Sequence, residues 1–169
     1  IQESVHAANP AAYVAAWPYT TSSWEHPDRL PFIRRMPKGI DFFLSMEKDQ
    51  AYLKEGYTKQ IWDYSIDFIG PSSDMIAAKA ACREVGRQLF VKTETGIGLE
   101  VFQFPYVPAM QRLADKWQKV RDLHPAGVHQ SWLFYGMFGS RAEALGLWAA
   151  YAPDMPRDTF LHRLAVRDF

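Results

Sequence analysis

The sequence has little cysteine, no excess of either charge and no long uninterrupted apolar run. A lone cysteine, Cys82, excludes an internal disulfide and a metal site built on cysteines. The 19 lysine and arginine residues balance 19 aspartate and glutamate residues, so no net charge is available to hold nucleic acid. The longest uncharged stretch, residues 7–24, is interrupted by Pro10 and Pro18 and predicts no membrane-spanning segment. We therefore expect neither nucleic acid nor a membrane as a partner, while the cellular compartment stays open.

Patterns that bind phosphate or metal are also missing. Gly96 and Gly98 follow a strand-like segment, but the third glycine and the helix of a dinucleotide-binding loop do not come after them. No pair of histidines lies four residues apart beside an acidic residue, as a zinc-binding helix requires. The sequence therefore predicts no cofactor and no metal centre.

Aromatic residues, in contrast, are abundant. They make up 15% of the chain and include six tryptophans and eight tyrosines. Many of these rings must fill a core. Others can line the mouth of a pocket, where flat rings suit the apolar faces of sugars. The positions of the rings decide between these two roles.

Strand-like and helical patterns alternate along the chain. Helical segments separate the strand-like ones, and Ser72 or Ser73, Gly86 and Pro156 supply capping and terminating signals. The predicted strands are residues 13–17, 40–46, 61–69, 88–94 and 128–135. The predicted helices are residues 2–8, 28–35, 73–85, 110–123, 141–150 and 156–167. Such alternation is typical of parallel β-α units joined by right-handed connections.

These elements predict an α/β fold with about five parallel strands and outer helices. A complete (β/α)8 barrel of the TIM type requires roughly 200–250 residues, so the chain predicts a partial barrel. The sequence begins at Ile1 within a helical pattern. We therefore interpret residues 1–169 as a single domain, the C-terminal part of a larger barrel catalytic domain. A five-stranded doubly wound sheet is the alternative.

Parallel α/β folds place their functional groups at the C-terminal ends of the strands. In the fourth predicted strand, the period of two puts Lys92 and Glu94 on one face, which must then border a polar cavity. Glu47 follows the second strand on what we interpret as the same inner face. The aromatic residues at the strand ends are Trp17, Tyr19, Trp132 and Tyr135.

The residues from the fourth strand onward resemble a known family. The series is Lys92, Glu100, Pro105-Tyr106-Val107-Pro108, a helix, and then Trp132, Gly136, Ser140 and Glu143. It is similar to the C-terminal half of β/α-barrel glycoside hydrolases of the hexosaminidase-like and α-glucuronidase-like kind. Asp63-Tyr64-Ser65-Ile66 and Gly70-Pro71-Ser72 look like the preceding strand and loop of that group. The resemblance covers residues 13–169 and implies a carbohydrate substrate.

Glycoside hydrolysis requires two carboxyl groups, one protonated and one ionised. Glu100, Glu94 and Glu47 are the candidate catalytic residues. Lys92 can hold a neighbouring carboxylate ionised or bind a sugar directly. With Lys92, the candidate substrate-binding residues are Trp132, Trp17, Tyr19 and Tyr135.

A second function remains open at this point, namely a non-catalytic carbohydrate-binding or degenerate barrel domain. Carboxyl groups about 5–5.5 Å apart indicate a retaining hydrolase and about 6.5–9.5 Å an inverting one, whereas isolated or salt-bridged acids favour the second function. A partial barrel also exposes an uncovered inner face, which predicts self-association of the fragment.

Overall fold

In a computed structural model, helices and parallel strands alternate along the chain. The structure describes residues 1–19, 30–94, 107–131, 140–152 and 154–169. Within these residues the strands are β1 Ala15–Ala16, β2 Asp41–Ser45, β3 Gln50–Lys54, β4 Tyr57–Ile61, β5 Leu89–Glu94 and β6 Gly127–Ser131. The helices are α1 Gln2–Ala8, α2 Leu30–Arg35, α3 Ser73–Glu84, α4 Met110–Asp122, α5 Arg141–Tyr151 and α6 Arg157–Asp168.

Four parallel strands form the main sheet in the order β1-β2-β5-β6. Spatial order therefore follows chain order. Ser45 pairs with Lys92, and Glu94 pairs with Ser131, so the C-terminal ends of β2, β5 and β6 lie side by side. The α/β class is confirmed. The sheet edge at which we expect functional groups is formed by the C-terminal ends of β2, β5 and β6.

One face of the sheet carries the apolar core. Because side chains alternate along a strand, Phe42 and Leu44 of β2 and Val91 of β5 turn to the same side. There they form a continuous cluster with buried residues of α2, α3, α4 and α5, in which Trp117 of α4 is fully buried. The core is thus built from one sheet face and the helices that cover it.

The other face of the sheet carries a row of aromatic rings. Phe43 stacks on His129 with ring centroids 5.2 Å apart, and Trp17 meets Phe43 edge to face at 5.2 Å. Tyr13 contacts Phe90 at 5.8 Å. His129 is exposed and Tyr13 is 69% exposed. We call these five rings the aromatic row, and among the described residues no helix packs over it as helices pack over the core face.

The helix signals in the sequence are confirmed. The Ser72 hydroxyl accepts a hydrogen bond from the Met75 amide at the start of α3, and the Ser140 hydroxyl caps α5 in the same way. Pro156 immediately precedes α6. Among the described helices, none is long and apolar enough to cross a bilayer.

The predicted third strand, residues 61–69, is wrong. An antiparallel hairpin of β3 and β4 ends at Ile61, and the following residues form an irregular segment. Glu55 and Gly56 turn the hairpin with φ of 52° and 80°, which matches a two-residue turn of the primed kind. Tyr64 has φ of 56°, so the backbone cannot stay extended there. The first predicted strand is also shorter, since only Ala15–Ala16 pairs.

Candidate functional site

Two glutamates meet at the C-terminal edge of the parallel sheet. Glu94 is the last residue of β5, and Glu47 follows β2 after Met46, whose amide still bonds to the Lys92 carbonyl. Both carboxyl groups are completely buried. Parallel pairing thus carries two acids from distant parts of the chain to one point.

A single ammonium group joins these acids. Lys116 Nζ, from the buried face of α4, donates to Glu47 Oε1 at 2.7 Å and to Glu94 Oε1 at 2.5 Å, and also contacts the Ser65 carbonyl. The Thr93 hydroxyl lies 2.9 Å from Glu47 Oε1 and 3.3 Å from Glu94 Oε2. Because both Oε1 atoms contact one nitrogen, they lie closer together than the about 6.5–9.5 Å that separates the carboxyl groups of inverting glycosidases.

A second buried ion pair lies beside the first. Lys92 Nζ is 2.8 Å from Asp63 Oδ2 and 3.4 Å from Ser45 Oγ. It also lies over the Tyr64 ring, 3.1 Å from the centroid, and 5.7 Å from the centroid of Tyr19. The left-handed turn at Tyr64 brings both Asp63 and Tyr64 to this lysine.

The five charged residues Glu47, Asp63, Lys92, Glu94 and Lys116, here called the buried charge cluster, contain three acids and two bases. If all were ionised, the cluster would keep one uncompensated negative charge away from water, which is costly. Taking up one proton makes the cluster neutral. The cluster thus favours a state in which one carboxyl group is protonated.

Glu94 is the group that keeps this proton. Burial and the charge of Glu47 raise the pKa of Glu94 well above its usual range, although Lys116 opposes this. Burial also raises the pKa of Glu47, but the charge of Lys116 and hydrogen bonding with Glu94 and Lys116 outweigh burial and lower it. Glu47 Oε2 has no donor among the described residues while both groups are ionised. Hydrogen bonding between the two glutamates lowers the pKa of Glu47 and raises the pKa of Glu94, which favours a proton on Glu94.

In the second ion pair, burial and the partner's charge act in opposite directions on each pKa. Burial lowers the pKa of Lys92, while Asp63 partly restores it. Burial raises the pKa of Asp63 against the opposing charge of Lys92. For Lys116, burial is outweighed by Glu47 and Glu94, which raise its pKa and keep it charged. The pKa values of Glu94 and Glu47 are therefore shifted in opposite directions, which is the arrangement of acid–base catalysis.

Five of the sequence candidates lie in the described residues. Glu47, Glu94 and Lys92 belong to the buried charge cluster. Trp17 and Tyr19 contact each other with tilted rings, whose centroids are 4.8 Å apart, and Trp17 is 37% exposed. Tyr19 also faces Lys48, whose nitrogen is 5.1 Å from the ring centroid. The remaining candidates lie outside the described residues: Glu100, Trp132 and Tyr135.

Sequence reasoning missed Lys116 and Asp63. Lys116 interrupts the apolar face of α4, three residues after Leu113 and four before Val120. A single charged residue at a core position of an amphipathic helix indicates a buried polar contact. Asp63 was assigned to a strand that does not form.

One cavity lies away from the buried charge cluster. A cavity of about 560 Å³ opens where the C-terminal ends of α4 and α5 meet the start of β6, and no member of the buried charge cluster lines it. Within the described ranges, no group of three or more histidine, cysteine, aspartate or glutamate side chains could hold a metal ion.

The fold and site define an α/β protein with a buried acid–base cluster at the C-terminal edge of its parallel sheet. No family model, no curated protein and no solved structure matches this chain. The resemblance to barrel glycoside hydrolases therefore rests on the residues that carry it.

Proposed function

We propose that the chain is the C-terminal part of a (β/α)8-barrel glycoside hydrolase in which Glu94 is the general acid and Glu47 the nucleophile. The observation that carries the proposal is that two buried carboxyl groups from neighbouring strand ends meet at one point, 2.9 and 3.3 Å from the same Thr93 hydroxyl. Two carboxyl groups whose environments separate their pKa values are the essential equipment of this reaction.

The arrangement supports a two-step reaction on an oligo- or polysaccharide. Glu94 donates its proton to the glycosidic oxygen as the bond to the anomeric carbon breaks, and Glu47 bonds to that carbon. Glu94, now ionised, then takes a proton from a water molecule, whose oxygen displaces Glu47. Lys116 stays charged and limits the cost of each ionised state.

Two features of the fold support the barrel part of the proposal. The four strands are parallel and lie in chain order, as in a barrel wall. The core helices contact one face of the sheet, while the aromatic row occupies the other. A barrel wall requires this one-sided cover.

A second function, non-catalytic carbohydrate binding, has its own support. Glu47 and Glu94 are both salt-bridged to Lys116, and each has 0% exposed surface. In that case the acids hold the sheet edge together, and Trp17 and Tyr19 provide the sugar-binding surface.

Hydrolysis of a panel of aryl glycosides by the full chain distinguishes the two functions. Under the first, Glu94→Gln lowers kcat by about a hundredfold or more, since proton transfer contributes at least that factor. Glu84→Gln, at an exposed glutamate of α3 paired with Arg34, is the matched control and keeps full activity. Sugar binding without turnover in the unmodified chain would establish the second function instead.

A further inference from the structure

Outside the buried charge cluster, three cationic side chains converge on one carboxylate, that of Asp67. Lys59 Nζ lies 3.0 Å from Oδ2 and Arg112 Nη2 lies 3.5 Å from Oδ1, which Lys54 Nζ also contacts. The Tyr52 hydroxyl donates to Oδ2 at 2.5 Å. We call Lys54, Lys59 and Arg112 the cationic cluster.

The hairpin register and α4 both fix these cations in place. Tyr52 pairs with Lys59, and Lys54 is two residues along the same strand, so all three side chains share one hairpin face. Arg112 donates to the backbone carbonyls of Ile66 and Asp67. The guanidinium position therefore does not depend on the Asp67 carboxylate alone.

One negative charge cannot balance three positive ones. The cationic cluster keeps a surplus of two charges, although the whole chain is neutral. Asp67 is only 17% exposed, whereas the cations are 40–46% exposed and so extend past it into solvent. Partial burial raises the pKa of Asp67, but hydrogen bonds from Lys54, Tyr52 and Lys59 outweigh burial and keep it ionised.

We propose that the cationic cluster binds a tetrahedral oxyanion, a phosphate or sulfate group, on the solvent side of Asp67. Two surplus charges match a dianion. Ammonium groups have three donors and a guanidinium has five, more than the contacts with Asp67 and the two carbonyls use.

Helix α4 connects the anion site to the buried charge cluster. Arg112 is four residues before Lys116 on α4, so the two side chains leave neighbouring turns of the helix, with Cα atoms about 6 Å apart along the axis. An anionic group on a sugar chain could therefore occupy the cationic cluster while a neighbouring bond lies at Glu47 and Glu94. This last step rests on the proposed function, whereas anion binding does not.

Calorimetric titration of the full chain at low ionic strength tests the site. We expect saturable binding of sodium phosphate and sodium sulfate but not of sodium chloride at matched ionic strength. Tighter binding of phosphate would indicate a phosphate ester as the natural group, and tighter binding of sulfate a sulfate ester. Absence of saturable binding by either anion overturns the proposal. Because no turnover is measured, failure of the proposed hydrolase function leaves this result unaffected.

Three variants separate a binding site from a structural ion pair. Lys59→Gln should weaken anion binding about fivefold, and Lys119→Gln, at an exposed lysine elsewhere on α4, should leave it unchanged. Asp67→Asn should tighten binding severalfold, because it removes the competing negative charge. Near-ultraviolet circular dichroism checks that each variant is folded. Unaltered affinity in folded Lys59→Gln, or an equal loss in Lys119→Gln, overturns the proposal.

Discussion

Glu47 and Glu94 lie at the ends of neighbouring strands and accept hydrogen bonds from the same ammonium nitrogen, that of Lys116. Neither acid can be ionised or neutralised without changing the other, because they share this donor and the Thr93 hydroxyl. The predictions on stability and catalysis follow from this sharing.

The free energy of unfolding should pass through a maximum with pH. The raised pKa of Glu94 contributes stability that is complete below the usual glutamate pKa and is lost as pH rises through the folded-state value. The lowered pKa of Glu47 contributes stability that is lost as pH falls through its folded-state value. Urea denaturation across pH measures both arms. Glu94→Gln should flatten the alkaline arm, and an unchanged alkaline slope would contradict our assignment of the proton.

Lys116→Met should destabilise the fold by about 3–5 kcal/mol, since it leaves a buried carboxylate without its cation. Lys119→Met is the control on the exposed side of α4 and should change stability by less than about 0.5 kcal/mol. Urea denaturation gives both values. In the double variant Lys116→Met/Glu47→Gln, part of the loss should return, and strict additivity would argue against a direct interaction.

If the chain is a hydrolase, its product should retain the anomeric configuration. The shared nitrogen holds the two carboxyl groups close together, which leaves no room for a water molecule between Glu47 and the sugar. Proton NMR of the first product formed from an aryl glycoside identifies the anomer. An inverted product would exclude Glu47 as the nucleophile.

Trp17→Ala should weaken sugar binding more than it lowers the melting temperature, because the ring is partly exposed at the end of the aromatic row. Trp62→Ala removes another exposed tryptophan, 69% accessible, and should leave sugar binding unchanged. Titration with oligosaccharides, followed by tryptophan fluorescence, measures the affinity. A loss confined to the melting temperature would make Trp17 a packing residue.

Gly146→Ala should lower stability by about 1–3 kcal/mol through overpacking, despite the better helix propensity of alanine. A Cβ at this position of α5 would lie 2.8 Å from Cζ2 of Trp117, which is fixed in the core. Thermal unfolding measures the effect. Equal or greater stability would show that α4 and α5 can separate slightly at no cost.

The local signals in the sequence were sufficient for most of the fold. Alternation in β2 and β5, together with the serine cap of α3, predicted these elements close to their actual ends. The sequence does not predict the hairpin, because its turn has Glu55 at the position where asparagine or aspartate is usual. In addition, residues 61–69 alternate as a strand would.

For the site, the sequence predicted which strand ends carry acids but not what neutralises them. Glu47, Lys92 and Glu94 follow from period-two alternation and strand direction. The roles of Lys116 and Asp63 depend on how α4 and an irregular segment pack over the sheet. The predicted roles of Glu100, Trp132 and Tyr135 stay predictions, which Glu100→Gln and Trp132→Ala in a full-length enzyme would test.

The Lys116 contacts also restrict how the strands can pair. Lys116 reaches one acid 69 residues earlier in the chain and another 22 residues earlier. If β5 slipped by one residue against β2, its side chains would exchange faces, and Glu94 would leave the ammonium and enter the apolar core. Apolar contacts alone discriminate weakly between such neighbouring alignments. A buried polar group that loses its hydrogen bond costs more, so the contact between Glu94 and Lys116 favours the observed strand register over its neighbours.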